Sequence, residues 1–88
     1  MLKKKKITLI FEHDGKKYEI KIPEKMTIPA AFHELCLDKN NKKLVDLDIK
    51  NYFKKGNQNP LPKYKSIKAL NLKDKDTITF ELMIKRSW

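Results

Sequence analysis

The chain has 88 residues, 40% hydrophobic and 36% charged, and its single cysteine, Cys36, excludes an intrachain disulfide and a disulfide-stapled secreted scaffold. That length makes one domain, near the lower limit of what folds on an apolar core alone. A net charge of +10 favours a polyanion, an anionic surface or an acidic protein as partner, yet every basic residue except Arg86 is lysine, a hydrated point charge that lacks the planar fork used to read bases.

Met1 to Lys6 is a basic lead, followed by the apolar run Ile7 to Phe11. That run stops at Glu12, short of the roughly 7–15 apolar residues of an export signal. No segment approaches the ~20 apolar residues of a membrane span. The expected location is cytoplasmic.

Ile7, Leu9 and Phe11 alternate with Thr8, Ile10 and Glu12, and after His13-Asp14-Gly15-Lys16 a second alternation sets Tyr18, Ile20 and Ile22 on one face. Two period-2 runs joined through Asp-Gly predict a β-hairpin, ended by Pro23. Ile28, Ala31, Phe32, Leu35 and Cys36 then fall at the spacing of one helical stripe, with Thr27 as N-cap and Pro29 in the first turn. Asn40-Asn41 marks its end. From Val45 the period returns to 2, predicting a strand with Val45, Leu47 and Ile49 inward that runs on toward Tyr52 and Phe53. Lys54 to Pro60 reads as a loop, and Leu61 to Tyr64 as a short edge strand, where Pro62 is admissible. Ser66 to Leu72 reads as one short helical turn with Ile67, Leu70 and Leu72 inward. Lys73 to Asp76 is a polar turn. Thr77 to Ile84 is a central strand with Ile78, Phe80, Leu82 and Ile84 on one face. Leu9, Ile20, Leu35, Ile49 and Phe80 are expected to meet beneath the helix.

The fold class is therefore α+β, in the order β-β-α-β-β-(short helix)-β: one mixed sheet with one helix across its apolar face. This arrangement resembles the β-grasp, ubiquitin-like superfamily over roughly Lys5 to Leu82. The carriers are the Ile7–Ile22 hairpin, the Thr27–Cys36 helix and the closing stretch Leu70-Asn71-Leu72-Lys73-Asp74-Lys75-Asp76-Thr77-Ile78. Residues 1–88 are read as one such domain, with a lead at 1–6 and a tail at 83–88. The layout Ile20-Lys21-Ile22-Pro23 through Thr27-Ile28-Pro29 is further similar to the accessory protein of Gram-positive type VII secretion, the YukD/EsaB type. That resemblance implies an accessory or regulatory component with a protein partner in a membrane secretion machine.

Candidate chemistry is thin. Conjugating ubiquitin-like proteins need a flexible C-terminal Gly-Gly, and the only glycines are Gly15 and Gly56, so no conjugation is expected. His33 and Cys36 stand three apart, as a thiolate–imidazole pair would, but Cys36 belongs to the apolar stripe and His33 lies off it. A zinc site wants about four ligands, more than Cys36, His33 and His13 supply. Asp46 and Asp48 flank Leu47 as solvent-facing carboxylates, and Asp74 and Asp76 form a turn. No catalytic residue, cofactor site, metal site or small-molecule substrate is expected.

A surface remains. Outward residues of the sheet are expected to include Thr8, Ile10, Lys50, Tyr52, Thr79 and Glu81. Of these Ile10, Lys50, Tyr52 and Thr79 are the candidate protein-binding set, with Ile10 and Tyr52 an apolar patch ringed by lysine. A bulge near Asn51 would turn Tyr52 inward instead. The alternative is a small basic nucleic-acid-binding protein that stacks bases on Tyr18, Tyr52, Tyr64 or Phe53. Lysines on nearly every outward position, with no single basic stripe, favour protein binding over that reading. Weak, non-specific contact with nucleic acid or an anionic surface is compatible with either.

Overall fold

A computed structural model describes residues 5–83. The expectations for Met1 to Lys4 and for the tail from Ile84 onward lie outside the described residues. The elements are β1 (Lys6–His13), β2 (Lys16–Pro23), α1 (Ile28–Cys36), a 3₁₀ turn (Lys39–Asn41), α2 (Lys42–Val45), β3 (Ile49–Lys54) and β4 (Asp76–Leu82). They form a mixed four-stranded sheet in the order β2-β1-β4-β3 with α1 across one face.

The hairpin is set by its turn. Asp14 and Gly15 both have positive φ, 53° and 77°, the signs of the two-residue turn whose twist matches that of the strands it joins. In that register Ile7 faces Ile22, Leu9 faces Ile20 and Phe11 faces Tyr18. The apolar set thus shares one face, and a slip of one residue would turn all of it to solvent. β4 then pairs with β1 in parallel, Leu9 opposite Asp76 and Phe11 opposite Ile78. A parallel pair needs a crossover, and α1 lies within it.

α1 begins where its cap dictates. The Thr27 hydroxyl accepts a hydrogen bond from the Ala30 N–H at 3.3 Å, and Pro29 sits in the first turn, where its missing N–H leaves no intrahelical bond unmade. Ile28, Ala31, Phe32 and Leu35 are buried. Beneath them Leu9 and Phe11 are fully buried, and Ile20, Ile49 and Phe80 are half-buried at the margin. Phe11, Phe32, Tyr52 and Phe80 form one aromatic cluster, with Phe32 edge-on to Phe80 at 5.1 Å. The turn before β4 is fixed by its carboxylates. Asp74 accepts from the Thr8 N–H at 2.7 Å and Asp76 from the Lys73 N–H at 2.7 Å.

Three expectations are corrected. Val45 to Asp48 is not strand: α2 occupies Lys42–Val45 and β3 starts at Ile49. Leu44 is buried, Leu47 is half-buried and Val45 is 59% exposed, so inward positions there are spaced by three. Leu61 to Tyr64 is not a strand. Pro60 and Pro62 remove two donors, and the contact with β3 shrinks to one bond from the Leu61 N–H to the Tyr52 carbonyl, 2.7 Å. Ser66 to Leu72 makes the one short helical turn expected: the Leu70 N–H reaches the Ser66 carbonyl, and Asn71, at φ 59°, ends it. Ile67 and Leu72 on it are buried as expected. Leu82 shares the inner face but is exposed, because it lies at the end of β4.

Candidate functional site

The face of the sheet opposite α1 is built from the alternate residues of the four strands. β1 contributes Thr8, Ile10 and Glu12; β4 contributes Thr77, Thr79 and Glu81. Ile10 stands opposite Thr77 across the parallel pair. In the antiparallel pair Phe53 stands opposite Thr79 and Asn51 opposite Glu81.

Tyr52 is not on this face. The register of β3 shifts between Ile49 and Asn51, the irregularity of a β-bulge, in which two residues of one strand oppose one of the other. Past the bulge the parity inverts. Tyr52 turns inward, opposite Phe80, and is 6% exposed. Its ring meets Phe32 at 6.2 Å and Phe80 at 5.9 Å, both edge-on. Burial, and to a lesser degree the neighbouring Cys36, push its hydroxyl up to about 12. The aromatic delivered to the open face is Phe53, half-buried. Lys50 is exposed beside the bulge, and Ile10 and Thr79 are where the alternation puts them.

The resulting surface is a threonine floor, Thr77 and Thr79, with Ile10 on one side and Phe53 on the other. Its polar rim is tied in place. Lys55 Nζ lies 2.9 Å from Glu12 Oε2 across the sheet, and Asn51 Nδ2 donates to Glu81 Oε1 at 2.8 Å. Such exposed pairs stabilise by little; the first joins β1 to the end of β3 across β4. One unbroken parity from Val45 to Phe53 turns Phe53 inward, and the bulge reverses it. The available signal was that Ile49 and Tyr52, three apart, cannot both face a core without an extra residue between them.

A second apolar surface lies on the other side of the molecule. Pro29, Phe32, His33, Cys36, Leu37 and Val45 line a shallow groove of about 320 Å³, with Leu37 63% and Val45 59% exposed. Within it the Cys36 thiol is raised by burial, which lowers its thiolate fraction and its nucleophilicity at neutral pH. His33 is exposed. Among the described residues no group of three or more His, Cys, Asp or Glu is arranged to hold a metal ion, and no helix is long and apolar enough to cross a membrane.

Comparison with known proteins agrees with the architecture. No family model matches the chain, and no curated protein does. Among solved structures the ubiquitin of Caldiarchaeum subterraneum superposes with a TM-score of 0.64, covering 94% of this chain and 100% of that one at 15% identity. The fold is ubiquitin-like. At that identity the likeness carries the fold and no residue roles, and the fold alone names no partner.

Proposed function

We propose that this chain is a non-conjugating, ubiquitin-like protein-binding module that docks its partner on the open sheet face through Ile10 and Phe53. The observation that carries the reading is the pairing of β3 with β4. It turns one aromatic, Phe53, onto a face whose centre is otherwise threonine and isoleucine. A small apolar centre with a tied polar rim is the anatomy of a modest protein interface. Within these 88 residues no two glycines are adjacent, so trimming exposes no diglycine for an activating enzyme.

The finer reading is an accessory role in type VII secretion. It is supported by the Ile22-Pro23 and Ile28-Pro29 layout, which ends β2 and opens α1. Calorimetric titration of the chain with the cytosolic domain of that system's membrane component tests it. Binding that Ile10→Ser and Phe53→Ser abolish, with the folded circular dichroism spectrum retained, supports both readings. No heat with that domain removes the secretion role and leaves the module reading to other partners. Docking by apolar burial also depends weakly on salt, whereas nucleic-acid binding by lysine falls steeply, by roughly 0.9 in log K per phosphate neutralised.

A further inference from the structure

The lysines are not spread evenly over the fold. Backbone hydrogen bonds bring three segments distant in sequence to one end of the molecule. The Glu24 N–H reaches the Lys5 carbonyl at 3.1 Å, the Lys68 N–H reaches the Glu24 carbonyl at 2.9 Å, and Thr27 bridges to Ser66. Residues 5–6, 24–27 and 66–68 therefore lie side by side at the start of β1, the end of β2 and the start of α1, and residues 63–65 lead directly into the last of these segments. These twelve residues hold six lysines and one carboxylate, Glu24; the rest of the described chain holds eleven lysines against ten carboxylates. The excess charge of residues 5–83 is thus concentrated at one pole, contrary to the expectation of lysine on nearly every outward position with no single basic patch.

Two further features belong to that pole. The N-terminus of α1, the positive end of its dipole, opens there with no acidic residue in its first turn. Tyr64, between Lys63 and Lys65, is 81% exposed.

We propose that this pole, with Lys5, Lys6, Lys25, Lys65 and Lys68 around Tyr64, is a docking surface for an anionic lipid bilayer. Lysine suits a headgroup layer, where charges are many, mobile and unspecific in geometry, and each lysine near such a surface strengthens partitioning by about fivefold. An exposed tyrosine suits the same boundary, its ring at headgroup depth and its hydroxyl in water. Single-stranded nucleic acid would instead call for several stacking platforms along a charged groove, and the pole presents one aromatic. This inference is independent of the sheet-face reading, because it uses none of the same residues.

The test is flotation of the full chain with vesicles of phosphatidylcholine alone or with about 30% phosphatidylserine, near physiological salt. The expected result is partitioning to the anionic vesicles only. Lys65→Glu with Lys68→Glu is expected to lower it at least tenfold, and Tyr64→Ala to lower it at unchanged melting temperature. Lys42→Glu with Lys43→Glu, the same change of net charge placed on α2, is expected to alter it less than about twofold. Equal loss from the two lysine pairs would overturn the proposal, since net charge alone would then explain binding. So would absence from anionic vesicles, or an oligonucleotide that binds the chain more tightly than the vesicles and loses affinity with Lys65→Glu and Lys68→Glu.

Discussion

Replacing Tyr52 and Phe53 by alanine, one at a time, tests the bulge on which the candidate face depends. Tyr52 is 6% exposed, so truncation returns most of an aromatic side chain to solvent or to a cavity. Roughly 150 Å² at ~25 cal/mol per Å² is about 4 kcal/mol. The edge contacts with Phe32 and Phe80 add about 0.5 kcal/mol or more each, and relaxation of the neighbours returns part of it. The expected loss is therefore about 3–5 kcal/mol. For a domain of this size each kcal/mol moves Tm by about 4–8 °C, so Tyr52→Ala should melt at least ~12 °C lower. Phe53 is half-buried opposite Thr79, a cross-strand contact of about 0.2–1 kcal/mol, and Phe53→Ala should lower Tm by less than ~8 °C. Thermal unfolding followed by far-ultraviolet circular dichroism reads both. The reverse order, with Phe53→Ala severe and Tyr52→Ala mild, would mean that β3 carries no bulge and that Tyr52 faces the partner.

Leu35, 4% exposed on the buried stripe of α1, should cost about 2–5 kcal/mol as alanine, and an unchanged urea midpoint would show that α1 presents another face to the sheet. Stability should fall from about pH 10 towards pH 12, because the raised Tyr52 hydroxyl keeps its proton in the fold after the unfolded chain has lost it. The stabilisation is complete below the unfolded value and is lost as pH rises through the folded one, at most about 2–3 kcal/mol; Tyr52→Phe should flatten the melting profile over that window. Gly15→Ala meets no atom within 4 Å but must hold φ +77°, so it should cost about 1–2 kcal/mol from backbone strain alone, measured as a shift in denaturation midpoint at constant slope.

The sequence was readable wherever a local rule and the core agreed. The hairpin follows from Asp14-Gly15 between two alternating runs, and α1 from Thr27, Pro29 and a single stripe; both have the expected register and cap. The central place of β4 follows from the strength of its alternation. Reading failed between Asn40 and Phe53, where Leu44, Leu47, Ile49 and Tyr52 are all drawn towards the core at spacings of three, two and three. No single period describes that series, since it crosses from a short helix into a bulged strand. The candidate face inherited the failure as an error of one residue. The charge pole was illegible for a different reason. Its three segments lie from about twenty to sixty positions apart and meet only through backbone pairing, which composition cannot register.

The sheet face and the basic pole can act together, because the pole lies at one end of the strands and the candidate surface on their open face. The pole gathers where β1 begins and β2 ends, whereas Ile10, Thr77, Thr79 and Phe53 lie along the sheet surface beside it. A chain resting on a bilayer by the pole therefore leaves its sheet face turned sideways, open to a partner held at the same membrane. The consequence is a factorable pattern. In solution, Lys65→Glu with Lys68→Glu should leave affinity for the partner within about twofold, the independence expected of sites with no shared contacts. Phe53→Ser should likewise leave vesicle partitioning unchanged. With the partner anchored in anionic vesicles, each set of changes should weaken capture, and the combination should weaken it by more than the solution affinities foretell. Two linked contacts raise effective concentration, and avidity can exceed either contact by roughly 10²–10⁴. Surface plasmon resonance on lipid-captured partner, against the same partner on a bare chip, measures the difference. Equal affinities on the two chips would show that the pole contributes nothing to capture, and loss of solution affinity from the lysine changes would show that the two surfaces are one.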